Sequence, residues 1–241
     1  VIECLAENGP MGIMDLSAEL GFHKSTTHRL VTSLQYMGYI RQDEESLKYA
    51  LSLKFLEIGS KILEQTNMAS LIHPSLKKLS EQTGETVHLV RREGTEAVYI
   101  DKVESTVSSI RMVSRVGSRI PLYCSGVGKA LLAELPDPEI EDIWNSSEIT
   151  SLTPYTVTSL SDLMDRIRGV REAGYAMDDE ENEEGVRCIA VSIPDYHKEP
   201  VYALSISAPV SRMTDARIAE LSTDVLTFKK DLEKTLGFSR S

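Results

Sequence analysis

The chain has 241 residues, 41% hydrophobic and 26% charged, with a formal net charge of -11 and a mean hydropathy of -0.18. That is room for a small domain followed by a medium one. No apolar run approaches the ~20 residues that span a bilayer, and no basic-then-apolar leader opens the chain, so a cytoplasmic protein without a membrane partner is expected. Cys4, Cys124 and Cys188 form no C-x-x-C pair, which fits a reducing compartment and speaks against a disulfide framework.

Val1, Ile2 and Leu5 share one face of a short helix that stops at Asn8-Gly9-Pro10; starting inside a helix, the sequence is expected to lack a few preceding residues. A second helix runs from about Asp15 to Gly21, with small Ala18 expected where two helices cross. A third, about Lys24 to Tyr36, carries Thr27, Leu30, Val31 and Leu34 on one stripe, expected to be buried. Tyr39–Arg41 and Lys48–Leu51 read as two strands around the turn Asp43–Ser46. Leu51, Phe55, Ile58 and Ile62 continue as a connecting helix, and Ala69, Ile72, Leu76 and Leu79 as another, closed by Gly84.

Strands are predicted at Thr86–Arg91, Ala97–Val103 and Ser109–Val113, and a helix from about Gly128 to Leu135. A further helix carries Leu160, Leu163, Ile167 and Val170. Strands return at Tyr175–Asp178, Arg187–Ile193 and Val201–Ser207 before a last helix, about Asp215 to Leu236. The second part is therefore α+β, a mainly antiparallel sheet flanked by helices.

An acidic chain is at first sight a poor partner for phosphates. Yet Leu20–Gln42 contains no Asp or Glu, and holds Lys24, Arg29 and Arg41 with His23 and His28. Gly21 suits the left-handed corner between two helices. With Thr27, Leu30, Val31 and Leu34 turned inward, Ser25, Thr26, Arg29, Thr32 and Ser33 face out. Short hydroxyls and an Arg there can donate to phosphates and base edges in a major groove. Lys24, His28 and Arg41 complete the candidate set. Tyr39 and Tyr49 can equally pack across the hairpin.

These residues resemble a known family. Gly21–Leu34 (G-F-H-K-S-T-T-H-R-L-V-T-S-L) is similar to the helix-turn-helix of the isocitrate lyase regulator (IclR) family of bacterial transcription regulators. Val98–Val103, Pro121–Ala133, Gly174–Glu181, Gly185–Ala190 and Ala203–Pro209 match further family strings in order. His23 departs from the proline common before the recognition helix. The resemblance implies a winged helix-turn-helix at 1–52, a linker helix at 53–68 and an effector domain related to GAF and PAS folds at 69–241. It also implies dimers, often paired into tetramers, on palindromic double-stranded operators, and small organic-acid effectors.

On that resemblance the carboxylate-binding positions are Ser125, Gly126, Val127, Asp178, Cys188, Ser205 and Ser207. The residue types agree. A Gly-containing turn ahead of a helix can aim backbone N–H groups at an anion. Ser205 and Ser207, two apart on a strand, face the same way. The anionic end is expected on Ser125–Val127 and the serines, with Asp178 and Cys188 reading the opposite end.

S-G-V-G-K-A is not a phosphate loop, because Tyr123 and Ala130 stand where that motif needs Gly and Ser or Thr. Asp178–Glu184, with six acids in seven residues, reads as a solvated loop without the alternation of a calcium site. Cys124, Cys188, His88 and His197 lack zinc spacing, and no metal, cofactor or catalytic residue is expected. The rival from another class is a GAF-like thiol enzyme or redox sensor using Cys188 or Cys124, which would need an activated thiolate.

Overall fold

The computed structural model describes residues 1–65, 68–105, 113–195 and 199–236. The chain divides into two compact units, Val1–Asn67 and Met68–Ser241.

The first unit runs α1 (Ile2–Asn8), α2 (Ile13–Leu20), α3 (Lys24–Tyr36), β1 (Ile40–Gln42), β2 (Tyr49–Leu51) and α4 (Lys54–Gln65). Its core is Cys4, Leu5, Leu16, Val31, Ile40 and Tyr49. Three details correct the sequence reading. Ile2 is exposed, and Cys4 takes its place inward. Ala18 is exposed as well; at 100° per residue the inward position of α2 is Ser17, whose hydroxyl is used up on the Ile13 carbonyl at 2.7 Å. Leu30 is 41% exposed, because α3 packs on one side only and Thr27, Val31 and Leu34 already fill that side.

Tyr39 does not pair with Tyr49 across the hairpin. Tyr49 stands opposite Gln42 in the register, while Tyr39 packs on Phe55 of α4, ring centroids 5.3 Å apart. Lys54 sits 4.4 Å over the Tyr39 ring and donates to the Met37 carbonyl. The wing is thus fastened to the start of the following helix.

The second unit contains α5 (Met68–Thr83), β3 (Thr86–Glu93), β4 (Glu96–Val103), β5 (Arg119–Pro121), α6 (Gly126–Leu132), α7 (Asp137–Asn145), α8 (Leu160–Ala173), β6 (Ala176–Asp179), β7 (Val186–Ile193), β8 (Tyr202–Pro209) and α9 (Asp215–Thr235). The strands form one antiparallel sheet in the order β5-β4-β3-β8-β7-β6. The strand expected at Ser109–Val113 falls almost wholly outside the described residues. β5 and α7 were not foreseen: β5 is too short to show a period, and α7 opens with Pro136 and Pro138, which read as a stop although proline is tolerated in a first turn.

Strand periodicity divides the sheet into two chemically different faces. Val87, Leu89, Ile189, Val191, Leu204 and Ile206 meet α5 and α9 through Ile72, Leu76, Leu221 and Val225. The other face carries Ala97, Ala176, Ala190 and Ala203 against α6 and α8. Those alanines let α6 lie so close that all seven of its residues are buried. Gly128 marks the tightest approach: a Cβ there would fall 2.2 Å from the Leu122 carbonyl oxygen. Beside this small-residue patch, the same face of the sheet presents His88, Asp178, Cys188, Ser205 and Ser207.

Candidate functional site

In the first unit, α2 and α3 are joined at Gly21, which takes the left-handed conformation with φ 64°. Phe22 donates its backbone N–H to Ser17 across that corner at 3.1 Å. Lys24, Ser25, Thr26, His28, Arg29, Thr32, Ser33 and Arg41 are all exposed. Ser25, Arg29 and Thr32 follow i, i+4, i+7 spacing, opposite the buried Thr27–Val31 side. Two of the hydroxyls are partly engaged: Ser33 donates to the Arg29 carbonyl at 2.9 Å, and Thr32 lies 3.4 Å from His28 Nδ1. Tyr36, one step further along the stripe, is 93% exposed. Sequence reasoning passed over it, although the 25–29–32–36 spacing was there to find.

In the second unit a small cavity opens between the polar strip of the sheet and the start of α6. Ser125, Gly126, Val127, Asp178, Cys188, Ser205 and Ser207 all line it, and sequence reasoning missed His88, Tyr99, Ser114 and Asn182 in the same wall. His88, Asp178, Cys188, Ser205 and Ser207 are placed by register. His88 faces Ser205 on the neighbouring strand, Ser207 faces Cys188, and Cys188 faces Asp178. This row crosses β3, β8, β7 and β6, with strands about 4.8 Å apart.

The expected arrangement of two opposite ends needs correcting. Gly126 packs on Asp178, an added Cβ lying 3.5 Å from both its Cβ and its backbone N. Asp178 therefore shares an end with the first turn of α6, and His88, Ser205 and Ser207 make the other. The helix also starts two residues earlier than the sequence suggested. Ser125 is its cap: the hydroxyl accepts from Gly128 N at 3.1 Å and donates to the Pro121 carbonyl at 2.6 Å. Its hydrogen is spent on shaping the turn. The amides of Gly126 and Val127 come ahead of the first intrahelical bond, and both residues line the cavity.

Among the described residues, no Lys or Arg lines this cavity. Asp178, 4% exposed, accepts backbone N–H bonds from Glu181 at 2.9 Å and Asn182 at 3.3 Å through one oxygen. Burial pushes its carboxyl up to about 7; Glu181 pushes the same way, and Lys129 and the two amides pull back. The acidic segment is thus no freely solvated loop. Glu181 is buried on Lys129 of α6 at 2.5 Å, their side chains 3% and 1% exposed. Glu180 accepts from Gly185 N, and Asp179 pairs with Arg187.

Burial drives the His88 imidazole down to about 3, with the Lys102 charge adding to the effect, so the ring is neutral near pH 7. The thiols move the wrong way for chemistry. Burial pushes Cys124 up to about 12 and Cys188 higher still, so both stay protonated, whereas a nucleophilic or redox cysteine needs a lowered value. Cys188 remains a thiol donor in the wall. His197 lies outside the described residues.

A glycine-cornered helix pair with a hairpin wing, joined in one chain to a sheet domain enclosing a small polar cavity, defines a DNA-binding transcription regulator with a ligand-sensing domain. The chain belongs to the IclR family of bacterial transcriptional regulators. Residues 1–44 match the IclR helix-turn-helix domain and residues 60–233 the bacterial transcriptional regulator IclR C-terminal domain. It is similar to the acetate operon repressor of Salmonella typhimurium, 37% identical over 243 residues covering 100% of this chain and 88% of the relative. It is similar to the transcriptional repressor IclR of Escherichia coli, 35% identical with the same shares. Among solved structures, the crystal structure of the Thermotoga maritima IclR aligns with a TM-score of 0.68 at 32% identity, over 98% of this chain and 95% of that one.

Proposed function

We propose that this regulator is a repressor of a palindromic operator, and that a small carboxylate bearing a hydroxyl or keto group controls its grip. The observation that carries the reading is the convergence of the seven residues implied by the resemblance on one small cavity, with no cation among its described lining residues. In this reading the carboxylate lies on Ser205 and Ser207. The hydroxyl or keto oxygen meets the Gly126 and Val127 amides, Cys188 and Asp178. An anion can enter beside Asp178 because that carboxyl holds a proton part of the time near neutral pH.

On the DNA side, Arg29, Ser25 and Thr32 reach base edges. Lys24, Thr26, His28, Ser33 and Arg41 supply phosphate contacts that fix register without reading sequence. A two-fold operator implies a dimer or dimer of dimers, and α4 is the proposed connector, with exposed Leu53 and Leu56 beside and on it as contact surface. The domain would act by binding alone, without catalysis. Its test is a thermal-shift screen of short hydroxy and keto acids, followed by operator gel shifts with each acid that raises the melting temperature. A panel in which neither melting nor operator affinity responds to any acid would refute the reading.

A further inference from the structure

Behind Ser205 and Ser207 stands a histidine that neither the family motifs nor the strand pattern singled out. His88 Nδ1 lies 3.4 Å from Ser205 Oγ and 3.3 Å from Ser207 Oγ, and the two hydroxyl oxygens are 3.4 Å apart. On the ring's far side, Nε2 lies 2.7 Å from Ser114 Oγ. The ring is neutral, so it carries one proton, and the geometry offers that proton two places.

The two tautomers make different cavities. With the proton on Nε2, the ring donates to Ser114 and its Nδ1 accepts from one serine. The second serine can donate to the first, and the cavity then meets lone pairs only. With the proton on Nδ1, the ring donates toward the serine oxygens, and both hydroxyl hydrogens are free to point at a ligand. Ser114 then donates to Nε2.

Lys102 biases the choice: Glu104 pairs with its Nζ at 3.1 Å, but the charge that acts on the His88 ring is the lysine's. Lys102 is the register partner of His88 on β4, and its Nζ donates to the Ser114 carbonyl at 2.8 Å. A positive charge on the Ser114 side attracts a lone pair at Nε2 and repels an N–H there. We infer that His88, Ser114 and Lys102 are positioning residues that set the ligand class: holding the proton on Nδ1, they turn the Ser205 and Ser207 hydroxyls into donors and make the cavity select an anion over its uncharged analogue. The choice of ligand rests on the carboxylate reading above; the tautomer does not.

The experiment uses the full chain labelled with 15N-histidine, with lactate and its uncharged counterpart lactamide as probes. The His88 ring signals, assigned by their loss in His88→Asn, are expected to place the proton on Nδ1. Wild type should prefer lactate to lactamide by about tenfold or more, the worth of one hydrogen bond to a charged group. Ser114→Ala combined with Lys102→Met, which removes both the hydroxyl that donates to Nε2 and the charge beside it, should bring that ratio close to one. His88→Asn, whose amide can donate from the Nδ1 position, should keep most of it, and His88→Leu should lose it.

A wild-type ring with its proton on Nε2 overturns the inference whatever the variants do. So does a Ser114→Ala, Lys102→Met protein that loses lactate and lactamide equally, or keeps the wild-type ratio, since a purely structural role would act on both ligands alike. A ring protonated on Nδ1 in a protein that ignores lactate would uphold the relay and count against the carboxylate reading.

Discussion

Replacing Asp178 by Asn tests the electrostatics of the cavity at their weakest point. The wild-type carboxyl titrates at about 7, so its protonated fraction falls about tenfold between about pH 6 and about pH 8. A carboxylate ligand, itself ionised throughout that range, binds best when Asp178 carries its proton. His88, held down at about 3, and the raised Cys124, Cys188 and Tyr99 groups do not change charge there. Among the described residues, Lys129 and Glu181 are the charges that act on Asp178, and Glu183 lines the same cavity.

Affinity for the tightest acid of the screen should therefore drop about tenfold from about pH 6 to about pH 8, with proton uptake on binding. Isothermal titration in two buffers of different ionisation enthalpy measures both. Asparagine keeps an oxygen for the Glu181 and Asn182 amides and supplies a permanent donor. Asp178→Asn should flatten the pH profile and bind about tenfold tighter than wild type at about pH 8. The sign for stability follows. A folded value above the ordinary 3.8 favours the folded state at low pH, and that contribution is lost as pH rises through 7, for a penalty on the charged form of about 4 kcal/mol. The variant should thus gain melting temperature at about pH 8 and little at about pH 4. A wild-type affinity that does not change with pH, or a variant that retains the slope, would refute the reasoning.

Arg29→Ala should cost about 1–3 kcal/mol of specific operator binding in a gel shift and leave the melting temperature unchanged; full affinity removes Arg29 from the contact set. Ser205→Ala with Ser207→Ala removes two hydrogen bonds to a charged group at roughly 1.5–3 kcal/mol each, so acid affinity should fall at least about tenfold while ligand-free operator binding holds; an intact response means the ligand lies elsewhere. Gly128→Ala drives a methyl into the Leu122 backbone, which no rotamer can relieve, and should destabilise the second unit by about 3 kcal/mol or more; a melting curve like wild type would show that α6 shifts freely. Sedimentation at about micromolar concentration, well above typical specific-complex dissociation constants, should give a dimer or tetramer, and a monomer binding operator one to one would sink the two-fold arrangement.

Local rules carried much of this molecule into its sequence. Gly21 between two helical stripes, and a window without acids, marked α2 and α3 because a left-handed corner and a phosphate-facing surface leave few alternatives. Ser205 and Ser207 could be read as facing one way because strands have a period of two. Their partner could not. His88 is brought to them by strand order, β3 beside β8, and a register is not written in either strand alone. Asp178 is a similar case. Its neighbours in sequence are acids and suggest a wet loop, but α6 reaches over the alanines of β6, β7 and β8 and buries it. Leu30 and Ala18 failed for the opposite reason: a small unit has one core side, and a residue near the edge of a stripe falls outside it.

The buried Lys129–Glu181 pair gives the cavity a mechanical neighbour. Glu181 leaves one carboxylate oxygen without a hydrogen-bond partner, and Lys129 answers to both acids, since its charge also acts on Asp178. A buried carboxylate short of donors is costly, so the β6–β7 turn is held by a pair that is close but incompletely satisfied. Protonating Asp178 removes the like charge beside Glu181 and leaves Lys129 to that pair alone. On the proposed carboxylate reading, ligand charge, Asp178 proton and the anchoring of Asn182 and Glu183 in the cavity wall form one linked equilibrium. An uncharged ligand filling the same space would not drive it, because it gives Asp178 no reason to take up a proton.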